Sequence, residues 1–153
     1  MAKTEPIREK NDLKKFMNYY KEEHPSERNY ALIVLGLRTA LRISDILQLQ
    51  WKDVYNFKHN HFQTHIYVQE KKTKKRTKIA LNKQAIIALG TFKATRKVKP
   101  QDYIFTKNTC YSRPLSRSQA FRIVRKAADE TLEDLSIYLA FIEKLSWQMI
   151  LWP

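Results

Sequence analysis

The decisive stretch of this sequence is Leu35-Gly-Leu-Arg-Thr-Ala-Leu-Arg-Ile-Ser-Asp-Ile-Leu-Gln-Leu-Gln-Trp-Lys-Asp-Val54. It continues an apolar run that starts at Tyr30 and is apolar on nearly every side, which predicts a central core helix. Arg42 then interrupts the apolar pattern, and Ser44 and Asp45 are residue types that can cap the next helix. The stretch therefore places a permanently charged guanidinium in a short connection between two apolar helices.

The residues before this stretch predict another helix. From Lys10 to Glu23 the apolar side chains recur at the spacing of one helical stripe, and they are Leu13, Phe16, Met17 and Tyr20. Pro25 ends that helix, and Ser26 with Glu27 provides the start of the core helix.

Downstream of the stretch the periodicity changes to that of strands. Phe62, Ile66 and Val68 alternate with polar residues, and Lys78-Ile-Ala-Leu81 follows a polar bend. This pattern predicts a β-hairpin, preceded by a short strand around Val54 to Phe57. The turn of the hairpin, residues 71–76, contains five Lys and Arg in six positions.

Two further helices are predicted after the hairpin. Asn82 caps the first, and a loop with the apolar patch Tyr103-Ile-Phe105 separates it from the second, which starts at Ser116. The inward residues of the second helix are Phe121, Ile123, Val124 and Ala127, and its outward residues are Arg117, Arg122, Arg125 and Lys126. The predicted fold is mainly α with a small antiparallel β-sheet on one edge, in a single domain.

The charge of the chain is concentrated in one part of the sequence. The 153 residues contain 29 Lys and Arg against 15 Asp and Glu, a net charge of +14. From Lys71 to Lys126 there are seventeen basic residues and one acid, Asp102, whereas the rest of the chain is slightly acidic. Such a field attracts polyanions and indicates a nucleic-acid partner, the alternative being a solvated basic face.

Other classes of site are disfavoured by the residue types present. Cys110 is the single cysteine, so no internal disulfide is expected. His59, His61 and His65 share strand parity, but a metal site needs a fourth ligand and none is evident, so neither a metal nor another cofactor is expected.

Membrane insertion is also not predicted. No apolar run follows Met1, and the apolar segment from Ile137 is too short for a span and is interrupted by Glu143-Lys144. A cytoplasmic location is the default expectation.

The decisive stretch resembles the first signature box of the tyrosine recombinases, the phage-integrase type. That box reads approximately Thr-Gly-Leu-Arg-Ile-Ser-Glu-Leu-Leu-x-Leu-x-Trp-x-Asp-Ile, and the sequence departs from it at Ala40, where the family usually has Gly. The resemblance implies the catalytic-domain fold of that family. It assigns Arg42 as the first of two catalytic arginines and Asp45 as its support, in a mechanism that needs no metal.

A second resemblance lies on the hairpin. Lys72-Thr-Lys-Lys-Arg-Thr-Lys-Ile-Ala-Leu81 resembles the family's Lys-Thr-Gly-x-(Lys/Arg)-x-x-(Ile/Val)-Pro-Leu pattern. The resemblance implies that Lys72 protonates the leaving 5′ oxygen, with Lys71 and Lys74 within one or two positions of that register. The alternative is that these lysines only neutralise phosphates.

The second half of the family's active site is not found in this sequence. After Leu135 there is no His or Arg, so the His-x-x-Arg box is missing, and Tyr138 lies too early to be the nucleophile. We therefore expect residues 1–136 to be a partial tyrosine-recombinase catalytic domain and residues 137–153 to be an apolar tail outside the family pattern.

A frameshift is one explanation of the tail. Leu139-Ala-Phe-Ile-Glu-Lys144 can be encoded as CTC GCA TTC ATT GAG AAA. Read one nucleotide later, the same string encodes Ser-His-Ser-Leu-Arg, which is a His-x-x-Arg box at the expected place.

The expected function is that of a DNA-binding, catalytically incomplete part of a site-specific recombinase or integrase of a mobile element. The expected DNA contacts are Lys71, Lys74, Lys75, Arg76, Arg117, Arg122, Arg125 and Lys126. Intact relatives assemble as homo-oligomers on double-stranded DNA, whereas this chain is expected to be a monomer or to self-associate weakly through its tail. The alternatives are a helix-turn-helix regulator that reads DNA with the Arg117–Lys126 helix and, less favoured, an interaction module that uses the tail.

Overall fold

The structure is a computed structural model that describes residues 10–39, 41–69 and 73–132. Its helices are α1 (Lys10–Asn18), a π-helical turn (Tyr19–Glu23), α2 (Glu27–Arg38), α3 (Ile43–Leu47), α4 (Trp51–Val54), α5 (Lys83–Lys93) and α6 (Arg117–Thr131). Its strands are β1 (Tyr55–Asn56), β2 (His61–Phe62), β3 (His65–Gln69), β4 (Arg76–Ala80), β5 (Thr106–Lys107) and β6 (Cys110–Pro114). The mainly α prediction with small antiparallel β structure is confirmed.

Helix α2 forms the centre of the core, as its apolar sequence predicts. Six of its twelve residues are buried, and they are Ala31, Leu32, Ile33, Val34, Leu35 and Leu37. It packs against α1, α3, α5 and the π-helical turn. A helix that is apolar nearly all round needs partners on several sides, and these four elements supply them.

Three predicted helix starts are confirmed by their capping hydrogen bonds. The Ser26 hydroxyl accepts from the Asn29 amide at 3.2 Å, and the Asn82 side-chain oxygen accepts from the Ala85 amide at 2.9 Å. At α6 the Ser116 hydroxyl accepts from the Gln119 amide, and the Gln119 side chain accepts from the Ser116 amide. This reciprocal pair is a capping box, which satisfies two amides that the helix itself leaves free.

The start of α3 differs from the prediction that Ser44 and Asp45 cap it. The helix begins at Ile43, and Arg42 is the N-cap residue without a side-chain capping bond. The Arg42 carbonyl accepts from the Asp45 and Ile46 amides, both at 3.0 Å, so the first turn is closed before either predicted cap. Burial of Ile43 and Ile46 sets this boundary, because both side chains must face the core.

The strands form three separate antiparallel pairs rather than one sheet. The β3–β4 pair is the predicted hairpin, in register from His65 opposite Ala80 to Gln69 opposite Arg76. The short strand expected around Val54 to Phe57 is β1, which pairs with β2. The third pair, β5–β6, occupies a region that was expected to be loop.

The end of the decisive stretch is anchored in the core. Trp51 is 1% exposed, and its rings lie against Phe92 with centroids 5.6 Å apart. The Trp51 amide donates to the Asp102 carbonyl and the Ile104 amide donates to the Leu49 carbonyl, each at 3.0 Å. Asp102 and Ile104 thus bind the end of the decisive stretch.

Helix α6 closes the fold against its N-terminal elements. It packs on α1 and on the π-helical turn, and the Tyr20 hydroxyl donates to the Ile123 carbonyl at 2.6 Å. Within the three described ranges, no helix is both long and apolar enough to cross a membrane.

Candidate nucleic-acid interface

Arg42 lies in the short connection between α2 and α3. Its side chain is exposed, while the flanking residues Leu41 and Ile43 are 2% and 4% exposed. The guanidinium makes no hydrogen bond or ion pair with any residue that the structure describes. Arg42 is therefore an exposed cation whose donors have no acceptor among the described residues, and a guanidinium of this kind can bind a phosphate in bidentate fashion.

Asp45 lies in the first turn of α3 and is half-buried. Its amide is bonded to the Arg42 carbonyl, but no hydrogen bond links its carboxylate to the described residues. Its support of Arg42 stays a prediction.

The tip of the β3–β4 hairpin carries exposed cations. Lys71 and Lys72 lie outside the described residues, whereas Lys74, Lys75 and Arg76 are described and exposed. Lys74 has a φ of 54°, in the left-handed region, and its carbonyl accepts from the Gln69 side chain at 3.4 Å. The described part of the turn is thus bonded back to β3 and exposes Lys74, Lys75 and Arg76.

Tyr67 belongs to this surface, although it was not among the predicted residues. Its ring is 52% exposed, and the Arg76 guanidinium carbon lies 4.5 Å from the ring centroid. The register places Arg76 opposite Gln69, so Tyr67 and Arg76 are diagonal cross-strand neighbours. This contact is a cation–π interaction. It can be predicted once the register of the hairpin is known.

Helix α6 presents a second group of cations. Its predicted outward residues Arg117, Arg122, Arg125 and Lys126 are all exposed. Of the inward ones, Val124 and Ala127 are buried, and Phe121 and Ile123 are partly buried.

Two of these cations already have contacts within the helix. The Arg117 guanidinium lies 5.3 Å from the Phe121 ring centroid, and Arg125 is paired with Asp129 at 3.5 Å. This ion pair is half exposed on both sides, so its contribution to stability is small.

The decisive stretch contacts both basic elements. Helix α3, which follows Arg42, packs on α6, and helix α4 packs on β3 of the hairpin. The Arg42 connection therefore belongs to the same packed unit as the hairpin and α6.

The histidines do not form a metal-binding group in the described part of the chain. The rings of His59 and His61 are stacked, with centroids 6.2 Å apart and planes 11° apart. No cluster of three or more His, Cys, Asp or Glu side chains suited to a metal is found among the described residues.

Comparison with known proteins settles the family. Residues 8–138 match the family described as "Phage integrase family". The chain belongs to the phage integrase family. This phage-integrase chain is 36% identical over 124 residues to the "Probable integrase/recombinase YoeC" of Bacillus subtilis. The match covers 81% of the chain and 62% of the Bacillus protein, so the chain spans less than two-thirds of that relative's length.

A solved structure shows the same fold. The phage-integrase chain superposes on the crystal structure of XerA recombinase with a TM-score of 0.68 at 15% sequence identity. The superposition covers 92% of this chain and 49% of the XerA chain. The tyrosine-recombinase resemblance is thus confirmed, for the family by the family match and for the fold by this superposition.

Proposed function

We propose that this chain binds double-stranded DNA as an incomplete part of a recombinase catalytic domain, in the integration or recombination of a mobile element. The observation that carries the proposal is the exposed Arg42 guanidinium, which has no partner among the described residues and is held between buried neighbours. An exposed guanidinium presents two parallel N–H donors that match two oxygens of one phosphate.

Arg42 has a chemical role in this proposal. Two of its N–H groups bind two oxygens of one backbone phosphate, and in an intact relative they stabilise the extra negative charge that develops when the phosphate is attacked. Asp45, one turn along α3, supports the position of the Arg42 side chain.

Lys72 is the proposed proton donor, with Lys71 and Lys74 as the neighbouring candidates. The family pattern places a lysine on this hairpin tip, where its ammonium group can donate a proton to the leaving 5′ oxygen. The described part of the tip supports this role, since Lys74, Lys75 and Arg76 are all exposed there.

The remaining cations are proposed to position the DNA. On the hairpin these are Lys71, Lys74, Lys75 and Arg76, and on α6 they are Arg117, Arg122, Arg125 and Lys126. Contacts of lysine and arginine with the phosphate backbone supply affinity and register without reading sequence.

We further propose that the chain does not cleave DNA. The sequence contains no His-x-x-Arg after Leu135 and no tyrosine after Tyr138, so the second arginine and the nucleophile of the family pattern are missing. Without a nucleophile the 3′-phosphotyrosyl link cannot form, and Arg42 and Lys72 would bind a phosphate that stays intact.

Salt-dependent DNA binding tests this proposal. Binding of a labelled duplex is measured by fluorescence anisotropy at several salt concentrations, for the wild type and for Lys74→Glu/Lys75→Glu/Arg122→Glu. Each phosphate contact contributes about 0.9 to the slope of log K against log salt, so losing three contacts lowers the slope by about 2.7 and the affinity at 0.1 M salt by about 500-fold. The loss should be the same for unrelated duplex sequences.

A charge-matched control distinguishes direct phosphate contacts from the general attraction of DNA to a positively charged protein. Lys14, Lys15 and Lys58 are exposed and lie outside the basic stretch, and their triple reversal to Glu changes the net charge equally. We expect this control to retain most of the slope. Equal losses in the two triple variants, or no binding by the wild type at low salt, would contradict the proposal.

The joint action of Arg42 and Lys72 has its own test. The test is a double-mutant cycle in DNA affinity with Arg42→Gln and Lys72→Gln. If both side chains bind one phosphate, their coupling energy is at least about 0.5 kcal/mol. If they bind distant phosphates, their effects are additive within about 0.3–0.5 kcal/mol. An additive cycle would show that the two residues do not serve the same phosphate.

A further inference from the structure

Two arginines from different elements meet at one buried threonine. The Arg28 Nη1 group, at the start of α2, donates to the Thr106 carbonyl at 2.9 Å. The Arg96 Nη1 group, just after α5, donates to the Thr106 hydroxyl at 3.4 Å. Thr106 is 0% exposed, so the two guanidiniums converge on a fixed point of the core.

Both guanidiniums are held in place before any ligand arrives. Arg96 lies between two aromatic rings, with its guanidinium carbon 4.4 Å from the centroids of both Phe92 and Tyr111. Arg28 also donates from Nε to the Asn29 side chain at 2.9 Å. Preorganisation of this kind lowers the entropic cost of binding.

The positive charge of this pair is not neutralised by a carboxylate. Neither arginine forms an ion pair with an acid in the part of the chain that the structure describes. Burial and the nearby charge of Arg96 both lower the pKa of Arg28. Two like charges held together in a half-buried place are unfavourable, and an anion between them would relieve that repulsion.

An open cavity adjoins the pair. Its volume is about 390 Å³, and it is lined by Pro25, Ser26, Glu27, Arg28, Phe92, Thr95, Arg96, Asn108 and Tyr111. Glu27 is the one acid in this lining, and its side chain is exposed.

Hydrogen-bond donors remain available at this cavity. The Nη2 group of Arg28 and the Nε and Nη2 groups of Arg96 have no acceptor among the described residues. The Glu27 and Arg28 amides at the start of α2 also have no acceptor among the described residues, whereas the Asn29 amide is capped by Ser26.

We propose that this cavity is a phosphate-binding site in which Arg28 and Arg96 are the ligand-contacting residues. A phosphate presents several oxygens to planar guanidinium donors, and the fork of an arginine matches that geometry better than a lysine does. The remaining volume accommodates the group that carries the phosphate. The site takes either free phosphate or a phosphate of a nucleic-acid backbone.

This site is separate from the one proposed for Arg42. Arg28 is at the start of α2, and Arg42 follows its end. Helix α2 has twelve residues, and at about 1.5 Å per residue its ends are about 18 Å apart. The phosphate site therefore does not depend on the role of Arg42 in the proposed function.

Titration with inorganic phosphate tests the proposal on the full chain. In a ¹⁵N-labelled sample at constant ionic strength, the arginine Nε–Hε signals are followed while sodium phosphate replaces sodium chloride. We expect the Arg28 and Arg96 signals to shift together and to saturate, while that of the exposed Arg113 does not. Shifts no larger than those produced by chloride would overturn the proposal.

Variants of Arg96 and Arg113 then test whether phosphate binds at the cavity. Removing one charged hydrogen-bonding partner weakens phosphate binding by about 10- to 100-fold, so this loss is expected for Arg96→Gln. Arg113→Gln removes the same charge outside the cavity and should leave the affinity unchanged. Circular dichroism shows whether Arg96→Gln is folded, and Arg96→Lys, which keeps the charge, replaces it in the titration if it is not. Equal weakening of phosphate binding by Arg113→Gln would show that phosphate is held only by the net positive charge, and it would overturn the proposal.

A duplex-DNA arm identifies the source of the phosphate. If a nucleic-acid backbone occupies the cavity, Arg96→Gln lowers the salt slope of DNA binding by about 0.9. If Arg96→Gln weakens inorganic phosphate but leaves DNA binding unchanged, the site serves a free or small-molecule phosphate. Both results support the site and differ only in its ligand.

Discussion

Tyr19 and Tyr20 provide a matched test of the packing that closes this domain. The two residues are adjacent and are 3% and 5% exposed, so both lose nearly all contact with water on folding. The Tyr20 hydroxyl donates to the Ile123 carbonyl at 2.6 Å. The Tyr19 hydroxyl is buried and has no hydrogen-bond partner in the described ranges. Replacing each by Phe removes one oxygen and keeps the ring.

The two replacements should change stability in opposite directions. Tyr20→Phe removes a hydrogen bond worth about 1 kcal/mol, so the free energy of unfolding falls by that amount. Tyr19→Phe removes a hydroxyl whose burial without a partner costs about 1–3 kcal/mol, so the free energy of unfolding rises. The two variants should therefore differ by at least about 2 kcal/mol.

Urea unfolding followed by circular dichroism measures this difference. With an m-value of about 2 kcal/mol/M, a gap of 2 kcal/mol separates the two midpoints by about 1 M urea. The m-values should be equal, since neither change alters the surface that unfolding exposes. The reasoning is refuted if Tyr19→Phe is destabilised as much as Tyr20→Phe, because the two hydroxyls would then have equivalent partners.

Four further experiments test the packing and the proposed function. Burial raises the pKa of Tyr20 to about 12 from its usual 10.0. The stabilisation that comes from this shift is complete below pH 10 and is lost as the pH rises towards 12. The free energy of unfolding of Tyr20→Phe should therefore fall less steeply with pH in this range than that of the wild type. Asn82→Ala removes the cap of α5 and should lower the free energy of unfolding, measured in urea, by about 1 kcal/mol. An unchanged midpoint would show that the 2.9 Å hydrogen bond to the Ala85 amide contributes nothing to stability. Incubation with nicked duplex DNA should give no covalent adduct on a denaturing gel, and an adduct through any tyrosine would disprove the proposed loss of cleavage. Sequencing of the coding DNA tests the frameshift, since codons incompatible with the shifted His-x-x-Arg reading remove that explanation.

Much of this fold follows from chemistry that is local in the sequence. Ser26, Asn82 and Ser116 were predictable as caps because each side chain satisfies an amide three residues away. The β3–β4 hairpin was predictable because alternation with period two lies on both sides of one polar turn. Arg42 was identified by the pattern around it, and the exposed cations of α6 by the helical period.

The missed features depend on contacts between distant residues. The β5–β6 pair has a two-residue strand and ends at Pro114, so its sequence reads as loop. The start of α3 is set by burial of Ile43 and Ile46 rather than by a capping side chain.

The Arg28–Arg96 pair is a further example of this kind. In the sequence Arg96 looks like one more residue of a solvated basic run. Only the fold places it between Phe92 and Tyr111 and next to Arg28.

The packing of α6 on the N-terminal elements has a consequence for synthesis on the ribosome. The Tyr20 hydroxyl and its acceptor at Ile123 are 103 positions apart, and translation proceeds at about 5–20 residues per second. For about 5–20 seconds, therefore, the apolar face of the first helices has been made while the helix that covers it has not. During that interval the face of the first helices that α6 covers is open to solvent and to any chaperone that shields apolar surface.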